Sequence, residues 1–196
     1  MTRVALVSFI LAAPRCTTMA LGPTSVLSKN YVFDPRPRFP LRIVAKRYWI
    51  GELKPDGDDH DTFSKTQEDV RTLVFIHGLG CHKEHWEPTI ERLFEHEQAS
   101  TGKSVRFRDM WSLDLLNHGD SAVLNEKVLR WGYDICKPGI FIMNINFIPL
   151  GIHTVSWEDH ARGIHAFLAG LGTGVDVDFS KRRLTLVGHS IGGSAL

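Results

Sequence analysis

Apolar and polar residues change their spacing several times along the chain, and each change marks an element. From Leu41 to Ile50 they partly alternate (Ile43, Ala45, Tyr48, Ile50), the period of a half-buried strand. Thr72 to Ile76 is a continuous apolar run closed by His77-Gly78, as expected of a strand covered on both faces of a parallel sheet. After a loop from Leu79 to His85, residues Trp86, Ile90, Leu93 and Phe94 fall at helical spacing. A second unit begins at Ser104, where Val105, Phe107, Met110 to Leu113 and Leu115-Leu116 lead into Asn117-His118-Gly119-Asp120-Ser121. Ser156 to Leu171 predicts a helix: Ser156 is the N-cap, Asp159 stands three residues on, and Trp157, Ala161, Ile164, Leu168 and Leu171 form the apolar stripe. Gly170, Gly172 and Gly174 then stop it, and because they follow a helix rather than a strand they do not read as a phosphate loop. A last β-prone run, Leu184 to Val187, enters Gly188-His189-Ser190-Ile191-Gly192-Gly193. Strands alternating with helices predict an α/β fold with a mostly parallel sheet and helices on both faces.

The remaining stretches frame this pattern. Residues 1–40 read as a lead-in, with Pro23, Pro35, Pro37 and Pro40 keeping its second half extended and free of helix. Within it, residues 1–20 (Arg3, the apolar run Val4 to Ala13, then Pro14) loosely resemble a secretory signal; an ordinary N-terminus is the other reading. Lys54 to Glu68 reads as an exposed loop; counting Asp56 of its Asp56-Gly57-Asp58-Asp59-His60-Asp61 run as the first position, the twelfth, where a calcium loop needs a bidentate Glu, is Gln67, so the run reads as a solvated turn. The domain proper spans 41–196 and carries an insertion at about 122–155 without regular pattern, either packed over the core or a lid lining an apolar pocket. No run is long enough to span a bilayer.

Composition narrows the function classes. The chain has 196 residues, 43% of them hydrophobic, enough for one proper core. A formal net charge of +1 offers no basic face for nucleic acid, and Lys181-Arg182-Arg183 reads as a solvated strand entry. Cys16, Cys81 and Cys136 are few, odd in number and widely spaced, which argues against a disulfide framework. No Asn-x-Ser/Thr sequon occurs, so both features lean intracellular.

The chemistry gathers in three motifs, each at the C-terminal end of an expected strand: His77-Gly78-Leu79-Gly80, Asp114-Leu115-Leu116-Asn117-His118-Gly119-Asp120-Ser121, and the Gly188–Gly193 turn. That edge of an open α/β sheet is where ligands bind. Gly188-His189-Ser190-Ile191-Gly192 fits the G-x-S-x-G elbow, in which flanking glycines remove Cβ atoms from a sharp strand-to-helix turn. Together the motifs resemble the α/β-hydrolase superfamily, in the group with an HG oxyanion loop, a D-x-x-G-H-G-x-S loop and a G-H-S-x-G-G elbow. The resemblance implies Ser190 as nucleophile and the backbone N–H groups of Leu79 and Ile191 as the oxyanion hole. It also implies that His77 and His118 brace loops. Asn117 stands where the motif has glycine, and Asn suits a positive φ there. His189 is not read as the base, because neighbouring side chains of an elbow point different ways. More narrowly, Phe75 to Glu91 and Asp114 to Glu126 are similar to fungal α/β-hydrolases that include peroxisomal lipase-like proteins and hydrolases of host-selective toxin biosynthesis. This implies a small ester or acyl substrate in secondary metabolism and a peroxisomal location, with secretion as the alternative. Ser194-Ala195-Leu196 echoes the peroxisomal address but lacks its basic middle residue.

In that superfamily the acid and the histidine follow the serine along the chain. Residues 191–196 hold neither, so the expectation is a hydrolase interrupted after its elbow, the 196 residues alone being inactive. The alternatives are an inactive truncated product and a non-enzymatic binding module that keeps the hydrolase shell. A triad rebuilt from His118 and Asp114 is disfavoured, since those residues suit loop bracing. His82, His85 and His96 do not gather as metal ligands, so no metal and no cofactor are expected. Cys81 reads as a small buried hydrophobe. Dehalogenases and epoxide hydrolases are disfavoured because they place Asp at the nucleophile position. The oligomeric state is left open.

Overall fold

A computed structural model describes residues 26–51, 70–100, 106–130 and 155–196. The signal-like segment, the Asp56–Asp61 run, Cys16, Cys136 and residues 131–154 of the expected insertion lie outside the described residues. The elements are β1 (Val26–Phe33), β2 (Ile43–Ile50), β3 (Val70–Ile76), α1 (Glu87–Ala99), β4 (Arg106–Leu113), α2 (Gly119–Arg130), α3 (Trp157–Leu168), β5 (Leu184–Gly188) and α4 (Ile191–Ser194), with a 3₁₀ turn at Lys83–Trp86 before α1. Among the described residues one five-stranded sheet runs in the order β1-β2-β4-β3-β5. The β4-β3-β5 part is parallel, as expected, whereas β1 and β2 join antiparallel. Register aligns the three parallel strand ends: Ile76 stands opposite both Leu113 and Gly188.

The core lies on both faces of this sheet. Val74, Ile76, Trp111 and Leu113 meet Ile164 and Phe167 of α3 on one side. Leu73, Phe75 and Met110 meet Ile90 and Phe94 of α1 on the other. Successive β3 residues therefore serve opposite cores, which is why the strand reads as unbroken apolar sequence. Each such side chain, fully buried, contributes about 1.5–3 kcal/mol of transfer free energy. No helix among the described residues is long and apolar enough to cross a membrane.

Several local expectations change on contact with the structure. Val26–Phe33 of the lead-in is an edge strand paired along its length with β2. Residues 122–130, the start of the expected patternless insertion, belong to α2, whose buried positions Ser121, Asn125 and Leu129 are four apart, two of them polar. Those polar side chains are satisfied: Ser121 Oγ accepts from Val44 N–H at 2.8 Å, and Asn125 bridges Arg42 O and Leu116 O at 2.8 and 2.9 Å. Helix α3 starts as expected, Ser156 Oγ accepting from Asp159 N–H at 3.2 Å. It ends in a Schellman motif, with Gly170 at φ 65 and Leu171 N–H reaching Ala166 O at 2.9 Å. Its buried face, however, is rotated to His160, Gly163, Ile164 and Phe167, leaving Trp157 61% exposed. The Lys181-Arg182-Arg183 cluster is only partly solvated. Arg182 turns inward to Asp109 at 2.8 Å, where Arg47 and Thr72 Oγ1 also bond the same buried carboxylate at 2.6 Å. Burial alone would raise the Asp109 pKa, but Arg182 and Arg47 outweigh it and hold the carboxyl below its usual range.

Candidate active site

The parallel register brings the three motifs together at the C-terminal edge of β4, β3 and β5. At the end of β5 the chain turns sharply into α4 through Ser190, which has φ 54 and ψ −123. Among the described residues Ser190 alone, glycines aside, has a positive φ. An L-residue there is strained, typically by about 1–3 kcal/mol. The turn closes because its neighbours lack Cβ atoms: one added at Gly192 would lie 2.5 Å from the carbonyl oxygens of Ile76 and His77, and one at Gly188 would lie 2.5 Å from Gly193 Cα. Ser190 and His189 are both exposed. His189 N–H bonds Ile76 O at 3.1 Å, and its ring stacks on His85 at 6.5 Å between centroids. The same ring lies against Gly78, so the elbow and the loop after β3 are in contact.

That loop, 77–83, is fastened at three points to residues 114–118 after β4. At its start, His77 Nε2 accepts from Leu115 N–H at 3.0 Å. The bonded Nε2 leaves the ring proton on Nδ1, which donates to Gly78 O at 2.7 Å. In the middle, Gly80 N–H donates to His118 Nε2 at 3.1 Å, while His118 Nδ1–H donates to Asn117 Oδ1 at 2.7 Å. Cys81 N–H closes a turn onto Gly78 O at 3.2 Å with Gly80 at φ 76, the positive value a type II turn requires at that position. At its far end, Lys83 N–H donates to Asp114 Oδ1 at 2.8 Å, and Lys83 Nζ reaches Asp114 Oδ2 at 3.2 Å, Asp120 Oδ2 at 2.6 Å and Glu84 Oε1 at 2.9 Å.

These contacts set protonation. Burial lowers the pKa of His77 and of His118, keeping both rings neutral and their Nε2 atoms free to accept. Burial, aided by His118, pushes His160 down to about 4; its Nδ1 faces Leu116 N–H at 3.4 Å. Around Lys83, burial disfavours the ammonium, but Asp120, Glu84 and Asp114 outweigh it and raise the pKa.

Of the residues read from sequence, Ser190 sits at the apex of the elbow and Ile191 is the first residue of α4. Leu79 occupies the turn of the facing loop, its side chain 72% exposed. Asn117 does not take the expected positive φ. Gly119 carries it instead at φ 51, close under the Asp114 carboxylate, while Asn117 contributes its side-chain oxygen to His118. His118 and Asp114 are committed to Gly80, Asn117, Lys83 and Asp120 rather than to Ser190. Lys83 was not legible as part of the site: a lysine in a polar loop carries no signal of burial. Among the described residues no group of three His, Cys, Asp or Glu side chains gathers to hold a metal.

The profile of the alpha/beta hydrolase family matches residues 73–196, which holds all three motifs. No curated protein matches the chain. Among solved structures, the peroxisomal alpha-beta-hydrolase Lpx1 of Saccharomyces cerevisiae is similar, at 20% identity and a TM-score of 0.47 over 87% of this chain. The chain spans 38% of the length of that structure. With the family profile covering more than half of its residues, the chain belongs to the alpha/beta hydrolase family.

Proposed function

We propose that this protein is a serine hydrolase of ester or acyl substrates, with Ser190 as nucleophile and the N–H groups of Leu79 and Ile191 as its oxyanion hole. One observation carries the reading: an exposed serine held at φ 54 and ψ −123 between a parallel strand and a helix, where its hydroxyl has no packing role to explain the strain. In the reaction Ser190 Oγ attacks the substrate's carbonyl carbon, the carbonyl oxygen takes negative charge facing the two amides, and the bond to the leaving alcohol or thiol breaks. Water then cleaves the acyl-enzyme and restores the serine. His77, His118 and His160 turn ring nitrogens to main-chain N–H groups, so the serine proton passes to a group other than these three. The motif resemblance extends the proposal to fungal secondary metabolism, toxin biosynthesis included, and to the peroxisome.

The same commitment of the histidines favours a second reading, a binding shell without catalysis. Hydrolysis of p-nitrophenyl esters by the protein expressed from its own gene separates the two. Turnover lost in Ser190→Ala supports the hydrolase; ester binding without turnover supports the shell.

A further inference from the structure

Lys83 is 1% exposed and makes more polar contacts than any role in solubility requires. Its N–H and Nζ grip the two oxygens of one carboxylate, Asp114, at 2.8 and 3.2 Å. Its carbonyl accepts from Ser112 Oγ at 2.6 Å, and its ammonium also meets Asp120 at 2.6 Å and Glu84 at 2.9 Å. Asp114 is followed directly by Leu115, whose N–H holds His77. Both ends of loop 77–83 are thus anchored on one dipeptide at the exit of β4. Gly78 C=O and Leu79 N–H belong to one planar trans peptide and point in opposite directions. Whatever fixes that carbonyl therefore aims the Leu79 N–H, and the carbonyl receives His77 Nδ1–H at 2.7 Å and Cys81 N–H at 3.2 Å. The first of these donors is held from Leu115, and the second lies two residues before Lys83.

We propose that Lys83 is a positioning residue for the Leu79 N–H: by clamping the far end of the loop to Asp114 it keeps the Gly78–Leu79 peptide aimed at the space before Ser190. This rests on the assignment of Leu79 as an oxyanion donor. The test is time-resolved labelling of Ser190 by a fluorophosphonate probe in the protein expressed from its own gene, with amide hydrogen exchange of segment 77–83 in parallel. Lys83→Met is expected to slow labelling by about ten- to a hundredfold while the labelled fraction reaches the wild-type end point. Lys83→Arg, which keeps the charge, recovers most of the rate. A lowered end point at unchanged rate would mean a purely structural role and overturns the proposal, as does a Lys83→Met rate equal to wild type. Where Lys83→Met does not fold, Asp120→Asn removes one partner at a half-exposed position; a slower rate supports the clamp and an unchanged one overturns it. If wild type takes no label, the hydrolase reading fails and exchange decides alone. Faster exchange at Gly80 and Cys81, whose N–H groups are bonded to His118 and Gly78, with β3 still protected upholds the clamp, and unchanged exchange refutes it.

Discussion

Replacing Ser190 with glycine is expected to stabilise the protein while deleting its candidate nucleophile. The backbone at φ 54 and ψ −123 lies outside the regions open to L-residues, and holding a serine there costs about 1–3 kcal/mol. Glycine occupies that region freely, so Ser190→Gly removes the strain. Against this, glycine loosens the unfolded chain by about 0.5–1 kcal/mol. Ser190 is exposed, so little packing is lost. The net gain is about 1 kcal/mol, or a Tm rise of about 2–4 °C for a chain of this size. Ser190→Ala is the reference, because it loses the hydroxyl but keeps the Cβ and with it the strain. Thermal unfolding followed by circular dichroism at one pH compares the two directly. A Ser190→Gly midpoint at or below that of Ser190→Ala would refute the claim that the elbow stores strain.

Gly192→Ala is expected to lower Tm by about 6–12 °C, the equivalent of about 3 kcal/mol of overpacking, because its Cβ would meet main-chain oxygens 2.5 Å away. Gly193→Ala, whose Cβ clears the nearest atom by 3.4 Å, should shift it little; equal effects in calorimetry would contradict the packing argument. His160 is neutral in the fold, its pKa pushed from 6.5 to about 4, so between those pH values the unfolded chain binds a proton that the folded form does not. Stability is then whole above pH 6.5 and falls by about 3 kcal/mol on descending to pH 4. Denaturant titrations should show His160→Gln losing less across this window; parallel curves would deny the depressed pKa.

The sequence made some of this legible for physical reasons. The β3 run is apolar throughout because both its faces are buried, and the strand-to-loop changes at Ile76, Leu113 and Gly188 put three motifs at one sheet edge. Ser156, as an N-cap with Asp159 behind it, announced the start of α3. What escaped has equally local causes. Helix α2 turns Ser121 and Asn125 inward, so its buried stripe does not look apolar. Arg182 and Lys83 are charged residues in polar surroundings whose burial depends on carboxylates distant in sequence, Asp109 and Asp114. Asn117 invited a positive φ that Gly119, two residues later, already supplies. Main-chain hydrogen bonds to His77 and His118 join loops separated by 38 residues, a pairing that no local pattern encodes.

Everything proposed for the site depends on Ser190 acting as the nucleophile. Incubating the protein, expressed from its own gene, with a fluorophosphonate probe and mapping the adduct by peptide mass spectrometry tests it most directly. One adduct is expected, on the peptide carrying Ser190 and absent in Ser190→Ala. No adduct, or an adduct that survives that substitution, would contradict it.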